Sequence, residues 1–298
     1  MAELLSHPIN RRKKLRELLN NAQPVLAPGC HDALSARLVE YCGFDTVYMG
    51  GFATTASILG RPDVGLLTGT EMIGHARTIT EAVNIPVIAD ADTGYGNAIN
   101  VIRTVREYEQ AGVAAIHLED QVSPKRCGHM IGKTVIPADE MVAKVRAAVA
   151  ARNDPDFVLI ARTDALVVEG MQKAIDRAKR YSDAGADLLF VESPTTEKEL
   201  ELIASQLKDR KVLLNWVEHG RTPQIPFSRI KELGFALVIF PIGSVLATMG
   251  GLLEHYKSLK EKGTPIDRLS KLPQFEEFTD MVGLPGILKV EQQYKSEG

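Results

Sequence analysis

The chain predicts a closed (β/α)₈ barrel, and three observations carry that expectation. Eight short, nearly continuous apolar runs punctuate its 298 residues. Most of the intervals between them carry helical periodicity, and no Gly-x-Gly-x-x-Gly turn opens a helix after the first run. Strands that are apolar on both faces suit a parallel sheet covered by helices outside and by side chains inside, and the missing glycine turn ranks an open doubly wound sheet second.

The elements follow in order. Arg11-Arg-Lys-Lys-Leu-Arg16 lacks the apolar stretch of a secretory signal and reads as the polar face of a first helix. The strands are expected at 25–28, 46–50, 87–92, 115–120, 158–164, 188–192, 212–216 and 237–241. Segments such as 141–149 and 171–181 repeat apolar residues at helical spacing between them. No composition shift marks a boundary before about residue 245, so residues 1–298 read as one barrel domain, with 245–298 as a C-terminal helical extension suited to packing on a neighbouring subunit.

Composition narrows the class. A formal net charge of -3 argues against nucleic acid as a partner, and no apolar run reaches membrane-spanning length. Aromatic residues make up 6%, so the core is expected to be aliphatic. Cys30, Cys42 and Cys127 show neither zinc-type spacing nor an even disulfide count. A reducing cytoplasm fits them best, with an organelle open if a targeting peptide has been removed.

Polar groups gather where the strands should end: Tyr48 with Gly50 and Gly51, Asp90 with Asp92, Glu119 with Asp120, Arg162 with Asp164, Glu192, and Asn215 with Glu218. Barrel enzymes place their chemistry at that face. Period-two geometry aims Asp90 and Asp92 the same way, and together with Glu119 they form an all-oxygen set suited to Mg²⁺, or Mn²⁺, rather than Zn²⁺. His117 shares the parity of Glu119 and reads as a hydrogen-bonded core histidine before a ligand. The run Gln121-Val-Ser-Pro-Lys-Arg-Cys-Gly-His129-Met-Ile-Gly-Lys133 sets a cysteine among Lys125, Arg126 and His129 in a loop able to close over a site. These cations lower the Cys127 pKa, and enclosure with an anionic substrate raises it.

Leu59-Gly-Arg-Pro-Asp63-Val-Gly, Asp90-Ala-Asp92-Thr-Gly-Tyr-Gly96, Leu118-Glu-Asp-Gln121, Lys125-Arg-Cys-Gly-His129 and Ala161-Arg-Thr-Asp-Ala165 together resemble the isocitrate lyase and phosphoenolpyruvate mutase superfamily, in its carbon-carbon lyase branch. The resemblance implies Mg²⁺ held directly by Asp92 and through waters by Asp90 and Glu119. It implies a 2-oxo acid moiety bound by Tyr48, the amides near Gly50 and Gly51, and Arg162, with Gly128, His129, Glu192 and Asn215 also touching substrate. It further implies a homotetramer that exchanges a C-terminal helix.

The chemistry expected is cleavage of the C2–C3 bond of a small 2-hydroxy carboxylic acid. A metal acidifies the hydroxyl, and Cys127 protonates the enediolate that departs. Tyr48 is the candidate base. Phe52, Trp216, Val217 and His219 replace residues usual in methylisocitrate lyases, which favours 2,3-dimethylmalate or another alkylmalate. 2-Methylisocitrate cleavage and oxaloacetate hydrolysis are the alternatives, and a non-catalytic barrel that binds a metal carboxylate is the competing class.

Overall fold

The computed structural model describes Leu5 and residues 9–295. In those residues eight parallel strands close into a barrel in sequence order: β1 (Val25–Cys30), β2 (Val47–Met49), β3 (Val87–Asp90), β4 (Ala115–Glu119), β5 (Val158–Thr163), β6 (Leu188–Val191), β7 (Val212–Asn215) and β8 (Leu237–Phe240), which returns to pair with β1. All eight strands fall on the expected apolar runs. The one-domain reading of 1–298 and the extension reading of 245–298 include residues 1–4, 6–8 and 296–298, which lie outside the described residues.

Strand alternation divides the core in two. Val25, Ala27, Tyr48, Ile88, Ala115, Val158, Ile160, Leu188, Phe190, Leu213, Leu237 and Ile239 fill the barrel interior, while the residues between them, such as Met49, Ala89, Leu118 and Leu189, pack against the surrounding helices. Continued along the same inward series, β3, β4, β5 and β7 present Asp90, Glu119, Arg162 and Asn215, and Glu192 follows just past the end of β6. The interior is therefore apolar below and charged at its C-terminal mouth.

Helix α1 (Arg11–Leu19) closes the opposite end. Leu15 and Leu19, one turn apart, join the interior cluster, and the basic face clamps the rim: Arg11, Arg12 and Arg16 donate to the carbonyls of Val83, Val113 and Phe157. The outer layer comprises α2 (Ala33–Tyr41), α3 (Gly51–Leu59), α4 (Gly69–Ala82), α5 (Ala98–Gln110), α6 (Ala138–Ala151), α7 (Ala165–Glu169), α8 (Met171–Asp183), α9 (Glu197–Gln206) and α10 (Phe227–Leu233). Several start on side-chain caps, with reciprocal capping boxes at Asp32 and Ser35, Thr68 and Glu71, and Thr196 and Glu199.

After β8 the pattern changes. Helix α11 (Gly243–Lys262), a 3₁₀ turn (Ile266–Lys271), α12 (Phe275–Met281) and α13 (Leu284–Gln293) contain no buried residue, although Met249, Leu253, Phe275, Ile287 and Leu288 are among their large apolar side chains. Among the described residues no helix is long and apolar enough to cross a membrane.

Candidate active site

The charged mouth encloses a cavity of about 180 Å³ lined by Tyr48, Gly50, Gly51, Phe52, Asp90, Cys127, Gly128, His129, Arg162, Glu192, Asn215, Val217 and His219. All of these were expected from the sequence. Asp63, Lys125, Glu218, Gly220, Pro241 and Ile242 line it as well.

Its floor is an uncharged pair. The Tyr48 hydroxyl lies 2.8 Å from His117 Nε2, with the rings stacked at 15°, and Phe190 meets the imidazole edge-on. Burial pushes His117 down to about 4, so the imidazole is neutral at pH 7. Burial, reinforced by the charge of Asp90, holds the Tyr48 phenol well above its usual pKa. A fully buried phenol beside a carboxylate favours its protonated form, which suits Tyr48 to hydrogen bonding more readily than to the role of base.

One wall is acidic. Asp90 Oδ2 accepts from Gly51 N at 3.0 Å, and its Oδ1 accepts from Asp92 N at 2.9 Å. The Gly51 amide is thus taken by Asp90 instead of facing a ligand. Asp92 reaches the wall by a route that strand periodicity does not describe, because β3 ends at Asp90 and Asp92 takes a left-handed turn, φ 47°. The turn is pinned from several sides: Asp92 O accepts from Glu119 N, Lys144 Nζ donates to Thr93 O, and Tyr108 donates to Asp90 O. Lys125 Nζ lies 2.8 Å from Asp92 Oδ1 and 2.7 Å from Asp63 Oδ2. A side chain on Gly51 would meet both Asp90 Oδ2 and Lys125 Nζ at 2.9 Å, so glycine is what lets this wall assemble.

Burial alone would raise Asp90, and the fields of His117, Lys125 and Arg162 outweigh it and hold the carboxyl below its usual range. With His117 neutral, Lys125 and Arg162 are the lasting counter-charges. For Asp92 burial wins and lifts the group to about 6, and burial also raises Glu119 well above the usual carboxylate range.

The other wall centres on Arg162. Its Nε and Nη2 bond Asp164 at 2.9 and 3.1 Å, Nη1 lies 3.1 Å from Glu119 Oε2, and the guanidinium sits 5.1 Å from the centre of the Phe190 ring. Asn215 Nδ2 donates to Glu192 Oε2 at 3.1 Å. His129 Nδ1 accepts from Arg221 N at 2.9 Å, which turns Nε2 toward Glu192 Oε1 at 3.1 Å.

The cysteine loop lies across these walls. The Gln121 side chain brackets Arg126, accepting from its N and donating to its O, and Cys127 N donates to Asp63 O at 3.1 Å. A side chain on Gly128 would fall 2.6 Å from Arg162 Nη2 and Glu192, so glycine permits the close approach. The cations around Cys127 in sequence point elsewhere: Lys125 to Asp63 and Asp92, Arg126 to Ile131 O. Burial therefore prevails and pushes the Cys127 thiol up to about 11.

Trp216 is the expected site residue that the fold places elsewhere. Asn215 points inward, so Trp216 points out of the barrel, packing on Phe240 and donating from its indole nitrogen to Ile225 O. Asp92 and Glu119 lie just beneath the cavity surface instead of lining it. Sequence reasoning missed Asp63 and Lys125 as partners, although both stand inside quoted motifs, and it missed Pro241 and Ile242 at the end of β8.

The carboxylates suit a hard divalent cation. Glu119 Oε1 is buried without a hydrogen-bond partner, while Glu119 Oε2 and Asp92 Oδ1 face only the cations Arg162 and Lys125, so this oxygen set keeps some acceptor capacity. Among the described residues no three His, Cys, Asp or Glu side chains converge as a ready-made cage. The donors fit an ion that takes few protein oxygens and completes its shell with water and ligand, as Mg²⁺ does.

Comparison with known proteins agrees with this geometry. The family model described as phosphoenolpyruvate phosphomutase matches residues 15–260. The chain is 47% identical over 286 residues to the 2,3-dimethylmalate lyase of Eubacterium barkeri, covering 96% of this chain and 99% of that protein. It is 45% identical to the 2-methylisocitrate lyase of Aeropyrum pernix over 284 residues, 95% of this chain and 91% of the relative. A solved oxaloacetate acetylhydrolase bound to 3,3-difluorooxalacetate superposes with a TM-score of 0.91 at 37% identity, covering 97% of this chain and 98% of that one. With its barrel, its inward carboxylates and its Lys-Arg-Cys-Gly-His loop all in place, this chain belongs to the phosphoenolpyruvate mutase and isocitrate lyase superfamily.

Proposed function

We propose that the chain is a carbon-carbon lyase that splits the C2–C3 bond of a 2-hydroxy dicarboxylate of the 2,3-dimethylmalate type, giving a 2-oxo acid and a monocarboxylate. The observation that carries this reading is the Cys127 thiol set in the same cavity as Arg162, Asn215 and Tyr48, where its burial favours the protonated form. When bound, Mg²⁺ held by Asp92 with Asp90 and Glu119 would acidify the substrate hydroxyl and stabilise the forming 2-oxo acid.

The side chains supply the rest. Arg162 and Asn215 bind carboxylate, and the Tyr48 hydroxyl donates a hydrogen bond from the floor. The C2 hydroxyl gives up its proton to solvent as C2=O forms. Breaking C2–C3 leaves its electron pair on the departing fragment as an enediolate, and Cys127 gives one proton to that carbon, becoming a thiolate that takes a proton back from solvent once the loop opens. The loop keeps water away meanwhile.

Phe52, Val217, Pro241 and Ile242 line the cavity as apolar side chains that suit alkyl substituents, and the lysine and arginine that share its lining, Lys125 and Arg162, are already matched to acids. A third carboxylate would lose hydration there with little return. The similarity to 2-methylisocitrate lyase and to oxaloacetate acetylhydrolase supports second readings with the same bond broken. A Mg²⁺-supplemented substrate panel separates them. Dimethylmalate yields pyruvate plus propionate, methylisocitrate yields pyruvate plus succinate, and oxaloacetate yields oxalate plus acetate. We expect the highest kcat/KM with 2,3-dimethylmalate; a preference for methylisocitrate would reassign the substrate, and no turnover of any would overturn the lyase reading.

The uncovered apolar faces of α11, α12 and α13 support assembly with further copies of the same chain, as a homotetramer in which these helices pack on a neighbour.

A further inference from the structure

The far end of the cysteine loop carries a buried ammonium that none of these steps uses. The Lys133 side chain is 1% exposed, and its Nζ lies 2.6 Å from Asp164 Oδ1 and also donates to the carbonyl of Gly128. The Ser193 hydroxyl lies 2.9 Å from the same Gly128 oxygen. Asp164 is at the same time the bidentate partner of Arg162. One carboxylate is therefore shared between the loop and the arginine that faces the cavity.

The sharing has an electrostatic meaning. Arg162 stands among Asp164, Glu119 and Glu192, so its single charge is more than balanced before any anionic ligand arrives. A second cation on Asp164 offsets part of that negative charge and leaves the guanidinium more attractive to a substrate carboxylate. The cation arrives only when residue 133 is seated, and its other bond fixes the peptide next to Cys127.

We infer that Lys133 is a positioning residue that couples seating of the Cys127 loop to carboxylate binding at Arg162 through the shared Asp164. The inference rests on the proposed reaction only for the identity of the anion. Coupling of this kind is reciprocal: the anion tightens the loop by the factor by which the seated loop tightens the anion.

Lys133→Met tests it, because Asp164 keeps Arg162 as partner and the fold retains its support; Lys133→Gln is the second variant if the apolar one is unstable. Oxalate, a planar dianion resembling a 2-oxo acid fragment, is titrated calorimetrically with Mg²⁺. Iodoacetamide modification of Cys127 is followed by peptide mass spectrometry, which separates it from the exposed Cys42. We expect oxalate affinity to fall within the roughly 5- to 150-fold span typical of coupled sites. We also expect ligand-free Cys127 to be modified faster and oxalate protection to be lost, with Lys133→Arg recovering most of both. Wild-type oxalate affinity and wild-type protection in Lys133→Met would overturn the inference. If the wild-type protein itself bound no oxalate with Mg²⁺, the proposed reaction would fall. The ligand-free modification rates would still decide the latch, equal rates in wild type and variant rejecting it.

Discussion

At Cys127 the sequence offers three cationic neighbours, and the fold takes two of them elsewhere: Lys125 goes to carboxylates and Arg126 to a backbone carbonyl. Burial then dominates and the thiol rises to about 11. A raised pKa favours the neutral form, so the group stays a proton donor up to the approach of that value. Cys127→Ser should therefore bind oxalate and Mg²⁺ like the wild type while losing roughly 10²- to 10⁴-fold in kcat, the usual worth of a positioned proton donor. The wild-type kcat should show no decline attributable to the thiol between pH 7 and 9. Stopped-flow product assays across that range check both statements, and a decline centred near pH 8 that vanishes in the serine variant would contradict the assignment. This distinction was not legible in the sequence, where both pulls on the thiol can be named but the direction of each neighbouring side chain cannot. Trp216 is the opposite case: alternation from the inward Asn215 already sends it outward, so its place outside the cavity was legible in the sequence.

Among the elements, the strands were the most legible part of the chain, because a strand buried on both faces must be apolar along its length. The inward series on β3 to β7 was legible too, and with it the residues of the mouth. What escaped were the connections. The turn at Asp92 leaves strand geometry just where the argument from alternation needed it to continue, and the partners of Lys125 and Lys133 come from segments distant in sequence. The cysteine loop offers a direct test of close approach. Gly128→Ala places a methyl within 2.6 Å of Arg162 Nη2 and Glu192, so the loop must back away. A misplacement of about 1 Å in such a site costs on the order of 10²-fold in rate. We expect kcat to fall by about that factor with the melting temperature shifted by no more than a few degrees, measured by steady-state kinetics and calorimetry.

For the whole molecule, α11, α12 and α13 carry apolar side chains that one copy of the chain leaves in water. If the proposed tetramer forms through these helices, removing residues 243–295 should shift it toward smaller species, read by light scattering coupled to size exclusion; an assembly unchanged by the deletion would place the interface elsewhere. The other end of the barrel has the opposite character. Leu15 and Leu19 stop the interior from below, and three arginines tie that stopper to the rim. Everything that enters or departs must then use a single doorway, the one the cysteine loop overhangs. A cleavage makes two fragments from one molecule, and in a blind-ended vessel they leave in sequence, the one nearer the opening first. On the proposed reaction, the fragment held at Arg162 is expected to be the last out.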